Sequence, residues 1–373
     1  MRRIVVAISV IALAAVASAS ASGASVASNA GAAKGKKPAI GHVFVINLEN
    51  TGYDTTFGSS SKAPYLSKTL TAKGQLLTQY YGIGHVSLDN YIAQISGQGP
   101  SKATQTDCTT YSEFQSTGTG DLGQVLGNGC VYPSSVKTIA DQLTAKKLTW
   151  RGYMEDIANS ATEPKTCRHP AIGASDKTLS ARQGDQYATR HNPFVYFHSI
   201  IDSPICAKNV VGLDRLAPDL ASLKKTPNLV YLTPNLCNDG HDAPCVDGQP
   251  GGLVSADAFL KQWVPKIMKS AAFKKDGMLF VTFDEAEIGQ DSSDCCGPTP
   301  APNVTQPGLN GPGGGRVGAV VLSRFVKPGT TNNTPYNHYA LLCSMEDAFG
   351  LAHLGLAGRP GLKCFGTDVY GKT

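Results

Sequence analysis

The 373-residue sequence lacks several features that would assign it to a common class of protein. It has no concentrated stripe of Lys and Arg, so its net charge of +5 does not indicate a nucleic-acid surface. Its ten cysteines include no C-x-x-C pair, which argues against a structural zinc site. No apolar run after the N-terminal region reaches the roughly 20 residues that a membrane-spanning helix needs. We also find no internal repeat.

The N-terminal region predicts export. Arg2 and Arg3, the apolar run 4–16 and the small residues that follow it form the three zones of a secretory signal peptide, which we assign to residues 1–21. The apolar run is too short for a membrane anchor, so export with cleavage is the favoured interpretation. Residues 22–38 are rich in Ala, Ser, Gly and Lys and predict a flexible leader. The remainder, 39–373, is predicted to form a single domain, for which 41% apolar content supplies a sizeable core.

In an exported chain, an even number of scattered cysteines favours disulfides. Residues 98–132 are polar and contain Cys108 and Cys130, which predicts a long disulfide-held excursion. Cys237 and Cys245 bracket a short polar loop and would clamp it if they pair. Sequence alone does not fix which cysteines pair.

Strand-like apolar runs alternate with amphipathic segments, and this alternation predicts an α/β fold. After a first strand that ends at Glu49, the predicted strands are Thr149–Met154, Leu229–Thr233, Met278–Phe283 and Val317–Ser323. The predicted helices are Pro64–Lys73, a segment from Ser87 to Gly97, Ser135–Lys147, Leu213–Lys224, a segment from Ser255 to about Phe273 that Pro265 should kink, and Tyr339–Phe349.

Three of these apolar runs end abruptly in polar side chains. Ligands of open α/β sheets bind beyond the carboxyl ends of the strands, so polar residues placed there are more often functional than those at the other end. Together with His338, which precedes a helix, these residues predict one rim able to bind one or two divalent cations. The residues that end the three runs are Glu49, Asn50, Asn235, Asp239, His241, Asp242, Asp284 and Glu285.

Ser87 begins a short amphipathic helix. One interpretation is that its hydroxyl only caps the helix. The alternative is that the hydroxyl lies where free N–H groups and the helix dipole favour a phosphate. This motif by itself favours capping.

Taken in order, the motifs resemble those of the bacterial phosphoesterase family of acid phosphatases and phospholipases C, within the alkaline-phosphatase-like superfamily. The resemblance covers roughly residues 40–350. It implies an α/β fold with a mostly parallel central sheet, helices on both faces and long disulfide-held loops. The segments that carry it are Glu49-Asn50, His85–Asn90, Pro234–Asp242, Phe283-Asp284-Glu285 and Tyr336-Asn337-His338.

The sequence departs from the family pattern at three places. Val86 and Asp89 replace prolines around the serine, and Asn337 replaces an aspartate. After Glu285 there is no Asp-His pair of the kind found in the related phospholipases. The last difference weakens the expectation of a phospholipid substrate.

The resemblance implies a secreted, metal-dependent phosphomonoesterase, similar to acid phosphatases, that acts through a phosphoserine at Ser87. The implied metal ligands are Glu49, Asn50, Asp239, Asp284 and Glu285. Asn90 would hold a phosphoryl oxygen, and His241, His338 or a second metal would assist the leaving group. His191 and His85 are secondary candidates, with a structural role expected for His85. The metal remains open among Ca, Mg, Mn, Zn and Fe.

Other functions stay open from the sequence. A phospholipase C that cleaves a phosphodiester is the first alternative, and a binding protein that holds a phosphorylated ligand without turnover is the second. A structural envelope protein would explain export and cysteines but not the carboxylates. A sulfatase is excluded because no C-x-P-x-R stretch supplies its modified nucleophile. The expected partner is a small phosphorylated substrate, with phospholipid as one option, and the oligomeric state is open.

Overall fold

A computed structural model describes residues 38–297 and 300–371 of the protein. The predicted signal peptide, 1–21, and the leader up to residue 37 lie outside the described residues, so these assignments and the domain boundary at residue 39 stay predictions. Within the two described ranges, no helix combines the length and the apolar character needed to cross a membrane.

An eight-stranded sheet forms the centre of the described chain. In chain order its strands are β1 (His42–Leu48), β2 (Gln75–Leu77), β3 (Trp150–Met154), β4 (Val210–Gly212), β5 (Leu229–Thr233), β6 (Gly277–Phe283), β7 (Ala319–Ser323) and β8 (Thr330–Asn332). Across the sheet they follow the order β8-β2-β7-β6-β1-β5-β3-β4. β7 runs antiparallel to both of its neighbours, whereas the other adjacent pairs are parallel. The predicted mostly parallel sheet is therefore confirmed.

β1 lies in the middle of this sheet and is buried along its whole length. Both of its neighbours, β5 and β6, are parallel to it and equally buried. Near-continuous apolar runs are typical of parallel strands that are covered on both faces. Leu48 pairs in register with Phe283, so the residues that follow β1 and β6 leave the sheet side by side.

Side chains from adjacent strands show that helices cover both faces. Val45, Tyr231 and Phe280 are register partners and share one face, where the Tyr231 hydroxyl donates to Gln94 of a helix at 2.6 Å. Phe44 points to the opposite face and packs against Phe273 of another helix, with ring centroids 6.2 Å apart. The predicted arrangement of helices on both faces is confirmed.

The α-helices differ from the predicted ones mainly at their ends. The predicted helix Leu213–Lys224 is reduced to two short turns. The helix expected from Ser255 begins at Gly252, and Ser270 ends it and caps the next helix through a bond from the Phe273 amide at 3.2 Å. The α-helices are Tyr53–Phe57, Thr71–Lys73, Ser87–Ser96, Ile139–Ala145, His198–Ile201, Ile205–Asn209, Leu216–Leu220, Gly252–Lys269, Ala271–Asp276 and His338–Phe349.

Shorter elements complete the fold. A π-helix covers Tyr65–Leu70, within the predicted helix Pro64–Lys73. Two small sheets pair Tyr80–Tyr81 with Tyr336–Asn337 and Gln115–Thr119 with Val125–Asn128. The 3₁₀ turns are Thr104–Thr106, Asp121–Gly123, Thr189–His191, Pro193–Tyr196, Leu213–Arg215 and Gly355–Gly358.

All ten cysteines form disulfides, which confirms the prediction of cross-links over metal ligands. The polar excursion 98–132 is held by the Cys108–Cys130 disulfide. The loop that carries Asp239 is closed by the Cys237–Cys245 disulfide. The remaining pairs are Cys167–Cys206, Cys295–Cys296 and Cys343–Cys364.

Candidate active site

Glu49 is the central side chain at the carboxyl end of β1. It is fully buried. Its Oε2 accepts hydrogen bonds from the Ser87 hydroxyl at 2.8 Å and from the Asn50 side-chain amide at 3.0 Å, and its Oε1 accepts from the Tyr91 hydroxyl at 2.5 Å. Burial and the nearby charge of Asp284 raise the pKa of Glu49 well above its ordinary value. A positive charge at this position would therefore stabilise its carboxylate.

Asn50 turns the chain away from the sheet and joins β1 to the end of β6. Its φ of 52° lies in the left-handed region, which Asn tolerates better than most residues. In this conformation its backbone amide donates to Asp284 Oδ1 at 3.0 Å. The same oxygen accepts the Glu285 amide at 2.7 Å, whereas Asp284 Oδ2 is buried without a hydrogen bond. Burial raises the pKa of Asp284 well above its ordinary value.

Ser87 is the first residue of the helix Ser87–Ser96, and its hydroxyl does not cap that helix. The hydroxyl instead donates to Glu49, across the space between the helix and β1. The amide of Leu88, next in the chain, donates to Asp107 Oδ1 at 3.0 Å. The capping interpretation of Ser87 is therefore wrong, and the hydroxyl is held by a carboxylate of the rim.

Asp239 enters the rim from the disulfide-closed loop after β5. The Glu49 amide donates to the Asp239 carbonyl at 2.9 Å, which joins this loop to the end of β1. Gly240 has a φ of 115°, and a Cβ there would lie 3.3 Å from the Glu49 carbonyl oxygen. Burial and the charge of Glu49 raise the pKa of Asp239 well above its ordinary value, and its Oδ2 is buried without a hydrogen bond.

His191 lies between these carboxylates. Its Nε2 is 3.4 Å from Glu49 Oε2 and its Nδ1 is 3.7 Å from Asp239 Oδ2, and neither nitrogen makes a hydrogen bond. The ring stacks on Tyr91, with centroids 5.4 Å apart and planes 9° apart. Burial and the positive charge of Arg190 lower the pKa of His191 well below its ordinary value, so the imidazole is neutral near neutral pH. The sequence had marked His191 only as a secondary candidate.

Glu285 and Asn90 have their polar atoms bound to other groups. The Glu285 carboxylate contacts His85 Nδ1, and His85 Nε2 lies 3.0 Å from the Asp291 carbonyl oxygen, a structural position for that histidine. Asn90 Oδ1 accepts the amides of Ile83 and Gly84, and its Nδ2 donates to carbonyls of the same turn. The metal role of Glu285 and the phosphoryl-binding role of Asn90 stay predictions.

The two predicted catalytic histidines differ in exposure. His338 is fully buried: Nε2 lies 2.5 Å from the Asp284 carbonyl oxygen, and Nδ1 lies 3.0 Å from the Tyr80 hydroxyl and 3.2 Å from Gln94 Nε2. Burial lowers the pKa of His338 to about 4. His241 has a side chain that is 49% exposed and pairs with Asp242 at 3.2 Å, which raises its pKa. The catalytic roles of both stay predictions.

Two further residues of the site were missed by sequence reasoning. Arg190 precedes His191 and is buried, with Nε 3.5 Å from Asp107 Oδ2. Asp107 comes from the excursion 98–132. Neither residue lies in a periodic segment or a recognised motif, and the only signal was the proximity of Arg190 to a histidine.

The rim can be tested for its fit to a metal ion. Its unpaired buried atoms are Asp239 Oδ2, Asp284 Oδ2 and the two nitrogens of His191. Buried carboxylate oxygens without hydrogen bonds are costly unless a cation compensates them. Carboxylate, amide and neutral imidazole groups are together a donor set for hard or borderline divalent cations. The donor types therefore suit a divalent cation, although the structure does not bring three of these carboxylate and imidazole atoms together around one point.

The family of the chain follows from comparison with known proteins. A family model described as "Phosphoesterase family" matches residues 59–352, which is most of the sequence. The chain belongs to the phosphoesterase family. The family resemblance predicted from the motifs is therefore confirmed.

Curated relatives of this chain include named phosphatases. A phosphate-repressible acid phosphatase of Penicillium chrysogenum is 27% identical over 308 residues, which cover 83% of this chain and 58% of the relative. A phosphatidylinositol-3-phosphatase of Mycobacterium tuberculosis is 24% identical over 342 residues, which cover 91% of this chain and 86% of that protein. The chain spans less than three fifths of the length of the Penicillium relative.

Two solved structures are similar to this chain. A structure from Bacteroides thetaiotaomicron, described in connection with glycosaminoglycan metabolism, has a TM-score of 0.50 at 12% identity and covers 90% of this chain and 82% of its own. A Vibrio parahaemolyticus structure described as a protein in the alkaline phosphatase superfamily has a TM-score of 0.49 at 12% identity and covers 86% and 70%. At such identity the first similarity shows the fold alone.

Proposed function

We propose that this phosphoesterase hydrolyses phosphomonoesters through a covalent phosphoserine at Ser87. The observation that carries the proposal is the 2.8 Å hydrogen bond from the Ser87 hydroxyl to Glu49, at the carboxyl edge of the sheet. A serine placed only to cap the helix would bond to a backbone amide of the first turn instead. Membership in the phosphoesterase family and the similarity to acid phosphatases support the same reaction.

The Ser87 hydroxyl attacks phosphorus while its proton passes to the Glu49 carboxylate. The new Oγ–P bond forms as the bond from phosphorus to the ester oxygen breaks. Water then attacks the phosphoserine, which releases inorganic phosphate and restores the hydroxyl. A paired carboxylate that holds the nucleophile is the arrangement expected for an activated hydroxyl. Tyr91 and Asn50 fix the Glu49 carboxylate in the orientation that receives the proton.

We propose that Glu49, Asn50, Asp239, Asp284 and His191 hold a divalent cation. When bound, such a cation would lower the pKa of a neighbouring hydroxyl and offset charge on the phosphoryl oxygens. The unpaired oxygens of the two aspartates and the unpaired nitrogens of His191 support this assignment.

The proton for the leaving alkoxide comes from His241 in this proposal. His241 is exposed, and its hydrogen bond with Asp242 raises the pKa of the ring, which favours the protonated form. His338 has a different role, because both of its nitrogens are engaged inside the protein. It positions the backbone of Asp284 and keeps that carboxylate directed at the rim.

The substrate proposed is a small phosphomonoester, and an inositol lipid phosphorylated on its headgroup belongs to the same chemical class. The Mycobacterium relative, named a phosphatidylinositol-3-phosphatase, favours including such a lipid among the substrates tested. Five disulfides support an oxidising, extracytoplasmic location.

The test is phosphate release from an aryl phosphomonoester by the purified protein, with Ser87→Ala as the matched variant and with a metal chelator as a third condition. The Ser87→Ala change should lower kcat on the order of 10⁴-fold or more, as loss of an attacking hydroxyl does in other enzymes. The chelator should abolish turnover reversibly. Rapid quenching of the wild type with labelled substrate should trap a label on Ser87.

An aryl phosphodiester and a phosphorylated inositol lipid serve as comparison substrates. Full activity of Ser87→Ala would remove the serine from the mechanism. Activity on the diester alone would contradict the proposed phosphomonoesterase and would favour a phosphodiesterase of the phospholipase C type. Phosphate binding without turnover, across metals and pH, would identify a binding protein.

A further inference from the structure

We propose that Arg190, held in place by Asp107, binds the phosphoryl oxygens of the substrate. The inference rests on the proposed phosphomonoesterase function and assigns a residue for recognising the anion. Arg190 would touch the substrate, whereas Asp107 would act as a positioning residue.

The guanidinium of Arg190 is fixed by part of its donor set. Nη1 donates to the Leu179 carbonyl at 3.1 Å and to the Thr178 carbonyl at 3.5 Å, and Nε faces Asp107 Oδ2 at 3.5 Å. Nη2 makes no hydrogen bond with any residue in the described ranges. The side chain is nine-tenths buried, since only 10% of its surface is exposed. An arginine that is buried, oriented and left with free N–H groups is prepared to bind an anion.

Asp107 connects this guanidinium to the nucleophile. One of its oxygens accepts the amide of Leu88, the residue after Ser87, at 3.0 Å, and the other faces Arg190. The carboxylate therefore sets the distance between the helix start and the guanidinium. It also occupies an amide at the helix N-terminus that a phosphate would otherwise use. The phosphoryl group consequently needs another donor, and Arg190 pairs with the same Asp107 carboxylate that binds the Leu88 amide.

The charges of the rim give Arg190 its importance. Glu49, Asp239 and Asp284 would repel an incoming phosphate dianion, and one divalent cation would offset only part of their charge. Arg190 is close enough to lower the pKa of Glu49 by its charge and is followed in the chain by His191, which lies between Glu49 and Asp239. The two N–H groups of Nη2 can donate to phosphoryl oxygens, which would orient the group under attack.

The experiment measures competitive inhibition by inorganic phosphate together with kcat and KM on an aryl phosphomonoester, in the metal-loaded protein. Arg190→Gln should weaken phosphate inhibition by about 10- to 100-fold, the range for loss of a charge-assisted hydrogen bond. Arg190→Lys keeps the positive charge but loses the planar guanidinium, and it should weaken phosphate inhibition by about 10-fold. Asp107→Asn should raise the inhibition constant less than Arg190→Gln and should raise KM more than it lowers kcat.

Arg168→Gln is the matched control, because Arg168 is an equally buried arginine that pairs with Asp185 through two hydrogen bonds outside the rim. It should leave phosphate inhibition unchanged even if it lowers the unfolding temperature. If Arg190→Gln does not fold, Arg190→Lys decides the question, and an inhibition constant within twofold of the wild type in Arg190→Lys would overturn the proposal.

The two proposals fail in different ways. If Ser87→Ala abolishes turnover while Arg190→Gln binds phosphate as the wild type does, Arg190 has no role in recognition and the phosphomonoesterase stands. If the wild type neither hydrolyses monoesters nor is inhibited by phosphate, both proposals fall. Direct titration of phosphate into Ser87→Ala and into Ser87→Ala/Arg190→Gln separates binding from chemistry.

Discussion

The acidic rim and Asp219, which pairs with Arg151, are two buried acidic regions that are stabilised differently. Asp219 Oδ2 contacts the guanidinium of Arg151 and accepts the Tyr153 hydroxyl at 2.8 Å. At the rim, by contrast, Asp284 and Asp239 each keep one oxygen without a hydrogen bond. Asp219 therefore has a cationic partner within the protein, whereas two carboxylate oxygens of the rim have no hydrogen-bond partner among the described residues.

This difference separates structural from functional burial of charge. A carboxylate with a fixed cationic partner stabilises the fold or is neutral to it, and its loss leaves the partner unpaired. Several carboxylates that share one space raise each other's pKa and destabilise the protein until a ligand compensates them. Perturbed carboxylates that converge at the end of a sheet therefore indicate a binding site more strongly than one paired carboxylate does.

The largest contrast is expected between Asp284→Asn and Asp219→Asn. Asp284→Asn should lower turnover on the order of 10²-fold or more. Mutation of a residue that only supports a metal ligand typically lowers affinity or activity by about 10- to 100-fold, and loss of a proposed ligand should cost at least as much. Bound metal, measured by elemental analysis, should fall with it, and the metal-free protein should not lose stability. Asp219→Asn should leave turnover intact and lower the free energy of unfolding by about 1–3 kcal/mol, because a partly exposed Arg151 loses its partner. Equal effects of the two variants on turnover would remove the distinction.

The second comparison uses two disulfides. Cys237–Cys245 closes a loop of sequence separation 8 that carries Asp239, whereas Cys343–Cys364 has a separation of 21 and joins the helix His338–Phe349 to a later segment. Replacing the first pair by serines should cost about 2–3 kcal/mol of unfolding free energy and the second pair about 3–4 kcal/mol, from the loop-closure entropy. Turnover should fall only with the first pair, by about 10-fold, because Asp239 loses its fixed position. A loss of turnover with the second pair would show that this loop is not specifically coupled to the site.

The smallest effect is a dependence of stability on pH in the metal-free protein. Folding raises the pKa of Glu49 and Asp284 above their ordinary values, 4.5 and 3.8, so the folded state binds protons more tightly than the unfolded state. This contribution is full below the ordinary pKa and is lost as the pH rises through the folded pKa. The unfolding temperature of the metal-free protein should therefore fall from pH 5 to pH 8, and a saturating divalent cation should raise it more at pH 8.

Glu346 provides the control for this measurement. Burial raises the pKa of Glu346 to about 9, and its Oε1 accepts the Leu354 amide at 2.9 Å. The contribution of this residue to protein stability therefore also falls as the pH rises. Glu346→Gln keeps an oxygen that accepts the Leu354 amide, and it should make the unfolding temperature depend less steeply on pH. The rise in unfolding temperature caused by the cation should persist in this variant. If Glu346→Gln removes the cation effect, the effect does not arise at the rim.

Much of the site was readable because strand ends are visible in sequence. Apolar runs gave way to Glu49, Asp239 and Asp284, and the helix after Ser87 had a clear amphipathic pattern. Helix ends were less accurate, as the early start at Gly252 shows, because a terminal turn depends on few local contacts.

Residues that reach the site from irregular loops could not be found this way. Asp107 and Arg190 lie in segments without periodicity, and their side chains meet only because the chain folds back over the helix that begins at Ser87. The difference between His338 and His191 was equally hidden. Both are histidines near short helical segments, but hydrogen bonds occupy both nitrogens of the first and neither nitrogen of the second.

The sequence by itself determined the alternation of strands and helices, the family and the polar residues at the strand ends, because these depend on local hydrophobic periodicity and short motifs. Only the tertiary structure decided that β1 lies between β5 and β6, which brings three separate strand ends to one rim. It also decided which buried polar atoms remain unpaired. Hydrogen bonds and charge compensation depend on which residues are neighbours in three dimensions. Asn50 and Asp284, which share a hydrogen bond, are 234 residues apart along the chain.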